Sequence, residues 1–132
     1  MDKVTSEMLK IYKPVSNLDW MNYKLVKKDV TFHHILKKSD NGKRIIENGA
    51  LLMPNAHNYL HLIEYKDKDT YTAINKVFKM VNMQGYEPTK AQREFIEYLL
   101  NEFESIHKWD KGSKGKLLLQ KKYLWREKIK KI

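Results

Sequence analysis

The stretch TFHHILKKSDNGKRIIENGALLMPNAHNYLH, residues 31–61, decides how this chain is read. Its start belongs to a β-like run, Leu25 to Ile35, in which Val26, Val30, Thr31 and Phe32 suit a strand. Ser39-Asp40-Asn41-Gly42 is a turn signal, and Asn-Gly invites a positive φ. Arg44 to Met53 reads as a second strand, broken at Glu47-Asn48-Gly49. After Pro54, Asn55 offers a cap for a helix to about Tyr65, with Leu60 and Ile63 as apolar positions. Strand, hairpin and helix are thus expected in direct succession.

Four of the five histidines fall inside this stretch, at positions 33, 34, 57 and 61. His57 and His61 are one helical turn apart, so their imidazoles share a face and could grip one metal ion. On a strand, His33 and His34 point to opposite sides, so only one of them readily joins that ion. The other is left to face a substrate beside it. Three nitrogen ligands with one free imidazole suit metal-assisted hydrolysis, in which the free ring takes a proton from water. The residues alone lead to a His-metal site in a basic protein, with the roles of His33 and His34 open.

Outward from this core the chain reads as mostly helical. Residues 3–12 suit a short helix with Thr5 or Ser6 as cap and Pro14 as stop. Trp20 and Met21 read as packing residues. A helix from about Thr70 to Met83 carries Ile74, Val77, Phe78 and Val81 at 3–4 spacing, and Gln84-Gly85 ends it. Another runs from Pro88-Thr89 to about Trp109, with Phe95, Ile96, Leu99, Leu100, Phe103 and Ile106 as its expected buried stripe. Lys90 and Arg93 read as helix-surface charges, Asn58 as a solvated helix position, and His107 as structural or exposed. Residues 111–115 resemble a linker before a basic amphipathic tail with Tyr123 and Trp125. The expected class is α+β, predominantly helical outside the hairpin, with one domain over residues 1–110.

The chain has 132 residues, with 42% apolar and 11% aromatic side chains, enough for a core. No apolar run approaches the length of a spanning helix, and residues 1–7 carry no apolar leader segment, so no membrane association is expected. The absence of cysteine excludes disulfides, a thiol nucleophile and Cys-based zinc fingers, and fits a reducing cytoplasm. Of 26 Lys and Arg residues nine lie in 111–132, against one of 16 acidic residues, so that segment carries +8 of the total +10. Its natural partner is a polyanion, with nucleic acid ahead of an anionic surface.

The residues Thr31-Phe32-His33-His34-Ile35, then Asn48 through His57 to His61, resemble the HNH nuclease motif. They are particularly similar to the His-His form of the colicin-type DNase domains. The Asn48-to-His57 interval and the His-x-x-x-His step match that form, and the step from His34 to Asn48 lies within about one residue of it. The resemblance covers residues 24–65 and implies a ββα-metal core, two strands and a helix around one divalent cation. It implies that His34 is the general base activating water against a phosphodiester. By the same resemblance His33, His57 and His61 hold the metal, and Asn48 braces the loop that orients His34. Many family members have Asp where His33 stands. The all-imidazole set leans towards Zn²⁺ or Ni²⁺, while Mg²⁺ and Mn²⁺ remain open. The Cys pairs that bind structural zinc in many members have no counterpart, so Trp20, Phe78 and Phe95 are expected to prop the core.

The expected function is metal-dependent hydrolysis of DNA, with RNA the other candidate substrate. The resemblance leaves a dimer open, since ββα nucleases that cut both strands often act as pairs. Lys37, Lys38, Lys43 and Arg44 on the hairpin, and Lys121, Lys122 and Arg126 in the tail, are candidate nucleic-acid contacts. The alternatives are a non-catalytic nucleic-acid-binding ββα module and a structural zinc protein. Deleting residues 111–132 is expected to weaken DNA binding and flatten its salt dependence while metal affinity stays. Loss of metal affinity in a titration of the truncated chain would make the tail part of the fold.

Overall fold

Among the described residues six α-helices and β-strands follow one another: α1 (Lys3–Ile11), β1 (Thr31–His34), β2 (Gly49–Leu52), α2 (Pro54–Lys66), α3 (Lys68–Gln84) and α4 (Lys90–His107). The computed structural model describes residues 2–12, 16–85 and 87–107. The expected linker and basic tail, with Lys121, Lys122 and Arg126, lie outside the described residues. The class is α+β and mostly helical, with one two-stranded antiparallel sheet. Among the described residues no helix is long and apolar enough to cross a membrane.

The strands are shorter than the pattern of β-formers predicts. Lys27–Asp29 makes a 3₁₀ turn where the first strand was expected to begin, and Ile46–Asn48 makes another ahead of the second. Only four residues on each side pair, with Phe32 opposite Leu51, His33 opposite Ala50 and His34 opposite Gly49. Between the strands Asn48 supplies the hydrogen bonds that a ladder would have made. Its Oδ1 accepts from Leu36 N–H at 2.8 Å, and its Nδ2 donates to the Leu36 and Lys43 carbonyls at 3.0 and 2.9 Å. The turn signal is real: Asn41 takes a left-handed φ of 67°. Gly42 follows because a Cβ there would lie 1.8 Å from the Leu36 carbonyl oxygen.

Two helix starts differ from expectation. Asp2, not Thr5 or Ser6, caps α1 by accepting from Thr5 N–H. On α2 Met53 is the cap residue and Pro54 occupies the first turn, so Asn55 lies inside the helix. Proline suits that position because its missing N–H would have had no helical partner. Gly85 ends α3 in the left-handed conformation, as Gln84-Gly85 suggests.

The core forms around α3, which packs against α2, α4 and β2. Its Ile74, Val77, Phe78 and Val81 are buried as their spacing predicts. Trp20 meets Phe78 edge-on at 6.1 Å. Phe95 does not prop the core; it is 46% exposed and stacks on Tyr98. The buried stripe of α4 is Ile96, Leu100 and Phe103, joined by Arg93 and Glu104, so Phe95 and Ile106 fall outside a narrower face. Arg93 is the largest correction: it is 8% exposed, not a surface charge. Its guanidinium donates to the Asp19 carbonyl, Asn22 Oδ1, the Tyr12 hydroxyl and Glu87.

Asp19 is fully buried beside it. Its Oδ1 accepts from Met21 and Tyr23 N–H at 2.8 and 2.9 Å, and its Oδ2 accepts from Met53 N–H at 2.8 Å. Burial pushes the carboxyl up to about 7 against the pull of these donors. Asp19→Ala leaves three amides without their acceptor and is expected to cost at least about 3 kcal/mol in urea unfolding. A loss below about 1 kcal/mol would show that the segment holds without this anchor.

Candidate functional site

His33 and His34 leave β1 on opposite faces, as strand alternation requires. His33 is 3% exposed, with its Nε2 2.8 Å from Asn75 Oδ1 on α3. Its ring lies edge-on to His57 at 5.3 Å and to Phe78 at 5.8 Å. His34 is only partly buried and sits edge-on to Phe32 at 5.0 Å, two residues back on the same face. On α2, His57 and His61 stack one turn apart, with ring centroids at 4.8 Å. His57 Nδ1 is 3.0 Å from Thr31 Oγ1, and His61 Nδ1 is 3.6 Å from Glu64 Oε1.

All four rings line one cleft of about 420 Å³, shared with Lys37, Lys38, Glu64 and Tyr71. Lys37 pairs with Glu64 and lies 5.6 Å from the centre of the Tyr71 ring, so the hairpin loop is tied to α2 and α3 across this cleft. Lys43 and Arg44 are not among the lining residues, nor is Asn58, which is exposed on α2. Arg44 instead pairs with Asp2 at 2.6 Å and lies over the Phe32 ring that His34 touches. Asn48 sits behind the cleft, and its own carbonyl accepts from Ile35 N–H, next to His34. His107 packs on Phe103 and faces Asp67 at 3.6 Å, away from the cleft.

The electrostatics favour the neutral form of His33, His34 and His57. Burial, opposed by the Asn75 hydrogen bond and aided by the other histidines, pushes His33 down to about 4. Burial, then the charges of His61 and His34, lowers His57 to about 4. His34 is lowered by partial burial and by Arg44 and Lys38. Partial burial opposes ionisation of Glu64, but Lys37 and His61 together hold its carboxyl below the usual range.

The donor set of His33, His57 and His61 suits a divalent cation of borderline softness, and the Glu64 carboxylate faces the same cleft. Among the described residues no three such side chains stand ready to hold an ion in this arrangement. His61 is exposed and Glu64 is partly exposed at this cleft.

Three participants lie outside the sequence reading. Glu64 follows His57 and His61 at steps of seven and three, the same helical face, so its spacing could have revealed it. Tyr71 and Asn75 come from α3, beyond the strand–hairpin–helix stretch. Asn75 left one trace: an amide set among the apolar positions Tyr71, Ile74 and Phe78. No protein-family model, no curated protein and no solved structure matches the chain.

His33 and His57 titrate near 4 when folded and near 6.5 in the unfolded chain, so the unfolded state binds more protons between those values. Their contribution is present above about pH 6.5 and is lost as pH falls towards 4. Asp19, raised to about 7, acts in the opposite sense. The histidine share is read from a comparison. The fall in melting temperature of metal-free protein from pH 7.5 to 4.5 is expected to be smaller in His33→Gln than in wild type. Equal falls in scanning calorimetry would show that His33 is not held neutral.

Proposed function

We propose that the chain is a divalent-metal-dependent endonuclease of the HNH, ββα-metal kind, hydrolysing phosphodiester bonds in DNA. The observation that carries this reading is the division among four imidazoles lining one cleft. Three lie together across β1 and α2, while His34 stands on the opposite strand face near Lys38 and Arg44. The strand–loop–helix order, the Asn48 bridge and the His57–His61 step agree with the motif the sequence resembles.

In this mechanism His34, neutral at pH 7, accepts a proton from water as its oxygen bonds to phosphorus. The bond from phosphorus to the leaving ester oxygen then breaks. Asn48 fixes the backbone on either side of the loop and so holds His34 in place. Lys38 and, once parted from Glu64, Lys37 offer positive charge to the phosphate. His33, His57 and His61 would hold the cation, which when bound neutralises charge at the scissile phosphate and leaving oxygen.

The test is nicking of supercoiled plasmid by purified protein with Mg²⁺, Mn²⁺, Ni²⁺ or Zn²⁺. His34→Ala is expected to lower the rate about 10²–10⁴-fold while metal affinity by calorimetry stays at the wild-type value. Absence of nicking with every ion, or undiminished nicking by His34→Ala, would overturn the proposal. Salt-sensitive DNA binding without cleavage would favour a non-catalytic module.

A further inference from the structure

We propose that Asn75 and Thr31 are positioning residues that fix the tautomers of His33 and His57, reserving His33 Nδ1 and His57 Nε2 for a divalent cation. This rests on the metal-dependent reading above and extends it to α3, beyond the stretch that resembles a known motif.

The assignment follows from which partner can donate. Asn75 Nδ2 donates to the Tyr71 carbonyl at 3.1 Å, one turn earlier on α3. That bond orients the amide, so the atom facing His33 Nε2 at 2.8 Å is Oδ1, which only accepts. His33 must therefore carry its proton on Nε2. Thr31 has one hydroxyl hydrogen, and it goes to the Leu52 carbonyl at 2.7 Å across the strand pair. Towards His57 Nδ1, at 3.0 Å, Thr31 Oγ1 is left as acceptor. His57 must therefore carry its proton on Nδ1.

Each ring, kept neutral by burial, then has a single lone-pair nitrogen, on the side away from its partner. This is the pattern by which metal-ligating histidines are held through their second nitrogen. Asn75 gains a reason from it. The position lies among Tyr71, Ile74 and Phe78 and would suit an apolar side chain, and the buried amide there is satisfied by His33 and the Tyr71 carbonyl.

Long-range ¹H–¹⁵N spectra of the metal-free full chain read both tautomers directly, and calorimetry with Zn²⁺ and with Ni²⁺ reads affinity. The wild type is expected to show His33 protonated on Nε2 and His57 on Nδ1. Asn75→Leu and Thr31→Val should lose the respective preference and bind each ion about 10- to 100-fold more weakly. Asn75→Asp and Thr31→Ser, which keep an acceptor, should restore most of both. Thr31→Val is close to isosteric, so it carries the test if Asn75→Leu fails to fold. Other tautomers in the wild type, or unchanged tautomers in the variants, overturn the proposal whether or not metal binds. Lost tautomers with undiminished affinity overturn the positioning role. The expected tautomers in a wild type that binds neither ion overturn the metal reading beneath it, and the positioning role with it.

Discussion

A carboxylate withdrawn from water is tolerated only where hydrogen bonds replace its hydration, and Asp19 meets that condition with amides from two distant parts of the chain. Met21 and Tyr23 lie beside it, whereas Met53 stands at the junction of β2 and α2. The same segment is fastened again by Trp20 N–H to the Leu51 carbonyl. Arg93 reaches in from α4 to hold the Asp19 carbonyl and Asn22, so a third element is tied to the same point. Because Met53 is the cap residue of α2, this anchor sets the direction in which the helix bearing His57 and His61 departs. The position of the cleft follows from it.

A second constraint acts from the other end. Four paired residues make a marginal sheet on their own, so the fourteen-residue loop between β1 and β2 needs its own support. Asn48 supplies it from inside, and Asn82 of α3 donates to the Ile46 and Gly49 carbonyls from outside. Gly49 is required at the strand start because a Cβ there would meet Phe32 and Met8. His34 stands where the strand gives way to this loop. Its orientation is therefore set by side-chain bonds to backbone, more than by the sheet.

Local features of the site were legible in the sequence because they depend on local geometry. The His57–His61 step is a property of any helix, the opposed faces of His33 and His34 a property of any strand, and Asn41-Gly42 a property of turn chemistry. The apolar spacing of α3 was legible for the same reason. Arg93 and Asp19 were not, since a charge becomes internal only when distant partners are assembled around it. Phe95 was misplaced because apolar spacing alone leaves the width of a buried stripe undetermined. Strand length was overestimated because β-branched residues between Leu25 and Val30 also suit extended coil, and the register of pairing ends where Asn48 takes over. Asn75 shows the same limit at the site, being an ordinary helix residue until His33 is laid against it.

The cleft itself carries a tension that the fold resolves in one direction. Imidazoles set 4.8–5.3 Å apart repel when protonated, and two of them are also poorly hydrated. Lysines at the rim add to that cost, while Glu64 offsets it only in part because Lys37 already claims it. Neutral rings are thus the stable form of His33 and His57 near pH 7, and each neutral ring has a lone pair as well as a proton. The hydrogen bonds to Asn75 and Thr31 account for the protons of His33 and His57. Their remaining lone pairs share the cleft with the Glu64 carboxylate. At the edge of the same cleft, on the other face of β1, His34 is pushed towards neutrality as well but is more exposed to solvent, the condition under which an imidazole can take a proton and give it up again.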